Sequence, residues 1–254
     1  MSEEILRAMM ELFALIVKQD GGMLQSEMNY VSEFLNKQLP HKSASEYMRL
    51  FLDNAGPLQV NKTRADTETA SLRDSVRIFT LCKQINKTLS QEQRIIALLR
   101  CFELIDSDKQ YTPQRMNIIN TIAEVFRVSQ EEFQSIWLFT REEEKDKFND
   151  PAIMLISAAV SDESYDTANG FFVFLKIASV NLYFIRSFCS GTALLNGLPM
   201  AGSKIYSFAQ GSSVQAPPSL TVYYGDVTAR YVSYADVLRL SFVADRLSYS
   251  FPDG

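Results

Sequence analysis

The chain of 254 residues is 46% hydrophobic and 22% charged, which is ordinary globular material for one to three domains. Its formal net charge of −5 excludes a binder of the phosphate backbone, which needs a basic face, so no nucleic-acid partner is expected. Three cysteines without CxxC spacing and a single histidine exclude a disulfide framework, a multi-histidine metal centre and a histidine-based triad.

The N-terminus carries Glu3 and Glu4 where a secretory leader would carry basic residues. Ile5, Met9, Leu12, Phe13 and Ile16 then recur at helical spacing, and the run stops at Asp20-Gly21-Gly22. A second helix is expected through Tyr30, Val31, Phe34, Leu35 and Leu39. His41 follows Pro40 in a polar stretch and reads as a solvated imidazole in a loop. Residues 56–71 are polar and aperiodic, hence a second loop. Helical spacing resumes at Leu72, Val76, Phe79, Leu81 and Cys82. Ser90 reads as an N-cap before Ile95, Leu98, Leu99 and Phe102, because its hydroxyl can accept from a free N–H of the first turn. Thr112-Pro113 repeats the logic as cap and first-turn proline, and Ser129 caps a last helix carrying Phe133, Ile136 and Trp137. Cys82 and Cys101 fall on these helices and fit small buried apolar residues.

The apolar period changes near residue 145. The charge run from Arg141 to Lys147, followed by Asn149-Asp150-Pro151, reads as a solvated helix end and a linker. Beyond it lie β-branched and aromatic runs at Phe171–Leu175, Asn181–Ile185, Ala193–Leu195, Lys204–Phe208 and Leu220–Tyr224, with Asn196-Gly197 as a hairpin signal. No uncharged apolar run reaches membrane-spanning length; the longest is interrupted by Lys176. The fold class predicted is therefore α+β in two domains: an all-α domain over 1–145, then a small antiparallel β-sandwich over 150–237. Residues 238–254 form a third element. Leu240, Phe242, Val243, Leu247, Tyr249 and Phe251 make a strand pattern closed by Pro252-Asp253-Gly254, which reads as the first strand of a further domain.

Within the helical part, the segment from Asp20 to Glu27 aligns with that from Asp108 to Arg115, each set between two apolar helices. This repeat resembles the TerB-like (tellurite-resistance) family, in which each helical half carries an aspartate-glycine, hydrophobic, Ser/Thr-x-x-Glu connection. The first copy matches at Asp20, Gly21 and Glu27; the second has Lys109 where the family has Gly and Arg115 where it has Glu. The resemblance implies Asp20 and Glu27 as metal ligands, although Arg115 stands against a site of that kind. The residues themselves also allow a plainer role, in which Asp20 ends one helix and Glu27 enters the first turn of the next, where the helix dipole favours negative charge. Asp106-Ser107-Asp108 opens like a calcium loop, but Gly is missing at the sixth position and Asn117 occupies the twelfth, so calcium is not expected there.

Two further resemblances concern the C-terminal part. Gly191-Thr192-Ala193-Leu194-Leu195-Asn196-Gly197, followed by Gly211-Ser212-Ser213-Val214, is similar to forkhead-associated domains, which bind phosphothreonine through Arg, Ser and His on preceding loops. Those loops are not matched, which leaves Arg186 as the candidate anion contact. Residues 240–254 resemble the opening strand of ABC transporter ATP-binding domains, where the aromatic before the Pro stacks on adenine; here that residue is Phe251. No GxxxxGK[ST] loop occurs in the chain.

Taken together, the resemblances imply a cytoplasmic regulatory and interaction region of an ABC-type transporter ATPase, non-catalytic in itself. A protein partner, and association with the membrane portion of the transporter, follow from that layout. ATP and magnesium would belong to the ATPase portion, and no cofactor to these residues. The alternatives are an adaptor that binds a phosphopeptide through the sandwich, and a TerB-like metal binder.

Overall fold

A computed structural model describes residues 3–18, 22–56, 72–157, 170–202, 204–216 and 220–234. Among the described residues seven helices come first: α1 (Glu3–Lys18), α2 (Gln25–Gln38), α3 (His41–Ala55), α4 (Leu72–Thr88), α5 (Gln91–Asp106), α6 (Pro113–Val125) and α7 (Gln130–Arg141). Helix α1 is buried over most of its circumference from Leu12 to Val17, as a helix enclosed by others must be. It packs on α3, α4 and α5, while α5 in turn meets α2, α6 and α7. The expected caps are in place. Ser90, Thr112 and Ser129 accept from the backbone N–H of Gln93, Arg115 and Glu132 at 3.4, 3.3 and 3.2 Å. His41 is exposed, but it opens α3 behind Pro40 instead of lying in a loop.

Eight strands follow among the described residues: β1 (Ile153–Ser157), β2 (Phe171–Ile177), β3 (Leu182–Ser187), β4 (Leu194–Leu195), β5 (Leu198–Pro199), β6 (Tyr206–Ser207), β7 (Ser213–Ala216) and β8 (Leu220–Tyr223), then helix α8 (Tyr224–Tyr234). They form two antiparallel sheets, ordered β1-β2-β3-β6 and β5-β4-β7-β8. Asn196 and Gly197 both take positive φ, 51° and 80°, and close the tight β4–β5 hairpin that the dipeptide signals.

The first sheet buries residues on both of its faces. Alternation along a strand sends Val173, Leu175 and Ile177 of β2 and Phe184 of β3 into the helical core. Phe172, Phe174, Tyr183 and Ile185 turn the other way and pack with Val214, Ala216 and Val222 of the second sheet. The result is three layers: helices, first sheet, second sheet. The charge run from Arg141 to Lys147 is largely exposed, and the chain is anchored just beyond it. Phe148 is buried between Phe171 and Phe188, and Asp150 accepts from Ser135 Oγ at 2.8 Å. The sheet is also tied back to the first turn of α7, where the Glu132 carboxylate accepts from Ser179 N and Oγ, both at 2.9 Å.

Two elements differ from the sequence expectation. Strand β1 lies where no strand was read, pairing along its whole length with β2. At Tyr224 the chain turns into α8 instead of ending a strand, because Val227 and Tyr231, one turn apart, bury the same helix face in the inter-sheet core. The Tyr231 hydroxyl lies 2.9 Å from both the Ala152 and the Phe174 carbonyl oxygens and donates to that pair. Tyr231→Phe is expected to cost about 1 kcal/mol in urea unfolding with unchanged far-ultraviolet dichroism, since only the hydroxyl is lost.

Candidate functional site

The repeat seen in the sequence places Glu27 and Arg115 at the same point of their helices, the third residue of α2 and of α6. In the fold these two helix starts face each other. Arg115 Nη2 forms an ion pair with Glu27 Oε1, and Arg115 Nη1 lies 2.9 Å from both carboxylate oxygens of Asp108. The three side chains are 0%, 0% and 3% exposed in the order Arg115, Glu27, Asp108. Glu27 Oε2 also accepts from Leu24 N at 2.6 Å, which caps the first turn of α2.

A charge removed from water is tolerated only when it is paired and hydrogen-bonded, and these three side chains pair with one another and with the backbone of Leu24 and Gln110. The metal site implied by the resemblance does not fit these residues. A guanidinium fills the position between the two carboxylates where a cation would sit, and Glu27 and Asp108 direct their oxygens to it. Asp20, the other implied ligand, lies outside the described residues, as does Phe251.

Arg186, the candidate anion contact, is 1% exposed. Its Nη1 donates to the carbonyls of Phe139, at 2.5 Å, and Glu142, at 2.9 Å, at the C-terminal end of α7, and its guanidinium lies over the Phe188 ring. Burial pulls its pKa down. A side chain so engaged satisfies the last carbonyls of a helix and is turned away from any phosphate in solvent.

A cleft of about 470 Å³ opens along the seam between helices and sheet. Helix α2 contributes Tyr30, Glu33 and Lys37, helix α5 Arg100 and Glu103, and the β5–β6 region Lys204 to Ser207. At its floor Tyr30 donates to Glu103 Oε2 at 2.9 Å, and Arg100 pairs with the same oxygen. Glu103 Oε1 accepts from Ile205 N at 3.4 Å. Burial, helped by the Glu103 charge, pushes the Tyr30 phenol well above its ordinary pKa, so it remains a donor. Burial alone would lower Arg100, but Glu103 and Tyr30 outweigh it and raise its pKa. At the rim Glu33 pairs with Lys204 and, at 3.0 Å, with Lys37; the Lys204 hydrogen bond holds its carboxyl below the usual range.

Strand β6 supplies the backbone of one wall. Phe208 N donates to Tyr183 O at 2.8 Å, and Tyr206 stands opposite Ile185, so Tyr206 and Phe208 turn their peptide groups toward β3. Alternation then turns the N–H and C=O of Ser207 to the opposite edge of the strand, and Ser207 is among the residues that line the cleft. Chemically the cleft offers hydrogen-bonding groups and compensated charge, which suits binding. Burial pushes the thiol of Cys82 up to about 12 and raises that of Cys101 as well, so both are protonated, packed thiols and not nucleophiles.

Sequence reasoning missed the cleft residues. Tyr30 counts as an apolar helix position in a periodicity reading, and its polar role depends on a helix 70 residues further on. The Arg100–Glu103 pair, three residues apart on α5, was the available signal.

Residues 6–138 match the family model described as tellurite resistance protein TerB, a span that covers more than half of the chain and runs from α1 into α7. No curated protein and no solved structure matches the chain. By the family match the chain belongs to the TerB family.

Proposed function

We propose that the chain is a non-catalytic regulatory and interaction region that holds an extended segment of a partner protein in the cleft between α2, α5 and β6. The observation that carries this reading is the cleft itself: a strand edge forms one wall, with Ser207 turned outward, and charged side chains of both signs line the rim. An added strand would gain affinity from main-chain hydrogen bonds, and the rim would select its side chains.

A random-peptide phage library panned against the full chain tests it. Selected peptides should lose at least about tenfold in affinity on Ser207→Pro, which removes the outward N–H while proline remains tolerated on an edge strand. Ser207→Ala should leave them unchanged. Peptides indifferent to both substitutions, or no enrichment at all, would sink the reading.

The finer reading we infer is that this region belongs to an ABC-type transporter ATPase, with ATP and magnesium in the ATPase portion and the present region on the cytoplasmic side. Support comes from the resemblance of residues 240–254 to the opening of an ATP-binding domain. Among the described residues no helix is long and apolar enough to cross a membrane. A phosphate loop encoded within a few tens of codons after Gly254 is expected; a downstream frame without one removes the ATPase and leaves the cleft reading standing. The adaptor alternative finds no support in Arg186, whose guanidinium is held by backbone carbonyls.

A further inference from the structure

The two aligned helix starts meet at one point, where Glu27 and Asp108 bring two carboxylates together in a dry interior. Such a pair requires a positive charge between them. That charge is Arg115 at the start of α6, whose guanidinium reaches Glu27 across 88 residues of sequence and Asp108 across seven. We propose that Arg115 is a built-in substitute for a divalent cation, which makes this TerB domain independent of metal, and that removing its guanidinium converts Glu27 and Asp108 into a cation site.

Three observations support this. The guanidinium contacts both carboxylates at once, as a bridging ion would. All three side chains are shielded from water, so bulk ions do not supply the compensation. A cation at a helix start opposes the helix dipole, so Arg115 is a costly choice at the third position of α6 unless carboxylates face it.

Thermal unfolding of the full chain, with excess chelator or with millimolar calcium, magnesium or manganese chloride, decides the matter. The unaltered protein should melt at the same temperature in all four. Arg115→Ala should melt on the order of 10 °C lower in chelator, and at least one of the three ions should restore a clear part of the loss. In the double variant Arg115→Ala, Glu27→Gln that restoration should disappear. If Arg115→Ala is insoluble without metal, recovery of folded protein when it is refolded with one of the ions counts in favour. Failure to fold or to recover with all three ions overturns the proposal. So does a chelator-induced drop in the unaltered protein, or calorimetric uptake of any of the ions by it at micromolar concentration.

Discussion

Replacing Phe184 by alanine should cost about 3–5 kcal/mol, among the largest effects available to a single side chain here. Phe184 is buried on the face of β3 that meets the helices, opposite Leu175 of β2 and Ser207 of β6. It therefore belongs to the apolar cluster that runs unbroken from α1 to the sheet. Truncation loses the transfer free energy of a ring and leaves a cavity that layers on both sides prevent from collapsing. Urea unfolding should show a lowered midpoint with an unchanged slope. A loss under about 1 kcal/mol would mean that helices and sheet do not share a packed interior.

Arg186→Met is the second large effect, about 3 kcal/mol. The methionine keeps much of the apolar stem, so the change removes the guanidinium together with its place over the Phe139 and Phe188 rings. Burying that group has its own cost, visible in its lowered pKa, and the substitution recovers this part. Against it stand two carbonyls, of Phe139 and Glu142, left without their donor at about 1–3 kcal/mol each, and these outweigh it. Amide exchange should quicken in the last turn of α7 and in β3 before the rest of the chain. Unchanged exchange at both places would show that water replaces the guanidinium without loss.

Much of this fold is legible because its signals are local. Ser90, Thr112-Pro113 and Ser129 act within one helical turn, and Asn196-Gly197 sets its hairpin from two residues. The uninterrupted run Phe172 to Leu175 also carries its meaning locally, since a strand with a wet face alternates and this one is dry on both sides. Tyr223 and Tyr224 mislead for the converse reason. Their β preference is real, but Val227 and Tyr231 gain more by packing between the sheets, and tertiary contact decides for a helix. The charged trio is the least legible part. Arg115 looks like the loss of a ligand until Glu27 is placed beside it, and no local rule joins positions 88 residues apart. The cleft is hidden in the same way, because its lining comes from four separated stretches of chain.

Glu103 divides its carboxylate between two parts of the molecule, with one oxygen held by Tyr30 and Arg100 at the floor of the cleft and the other by the backbone of Ile205 beside β6. Glu103 therefore joins the floor of the cleft to the chain that leads into β6. A guest that altered this shared hold would have its own affinity altered by the hold by the same factor, in whichever sense the contacts dictate. A single acidic side chain thus ties the helices to the sheet at the mouth of the cleft.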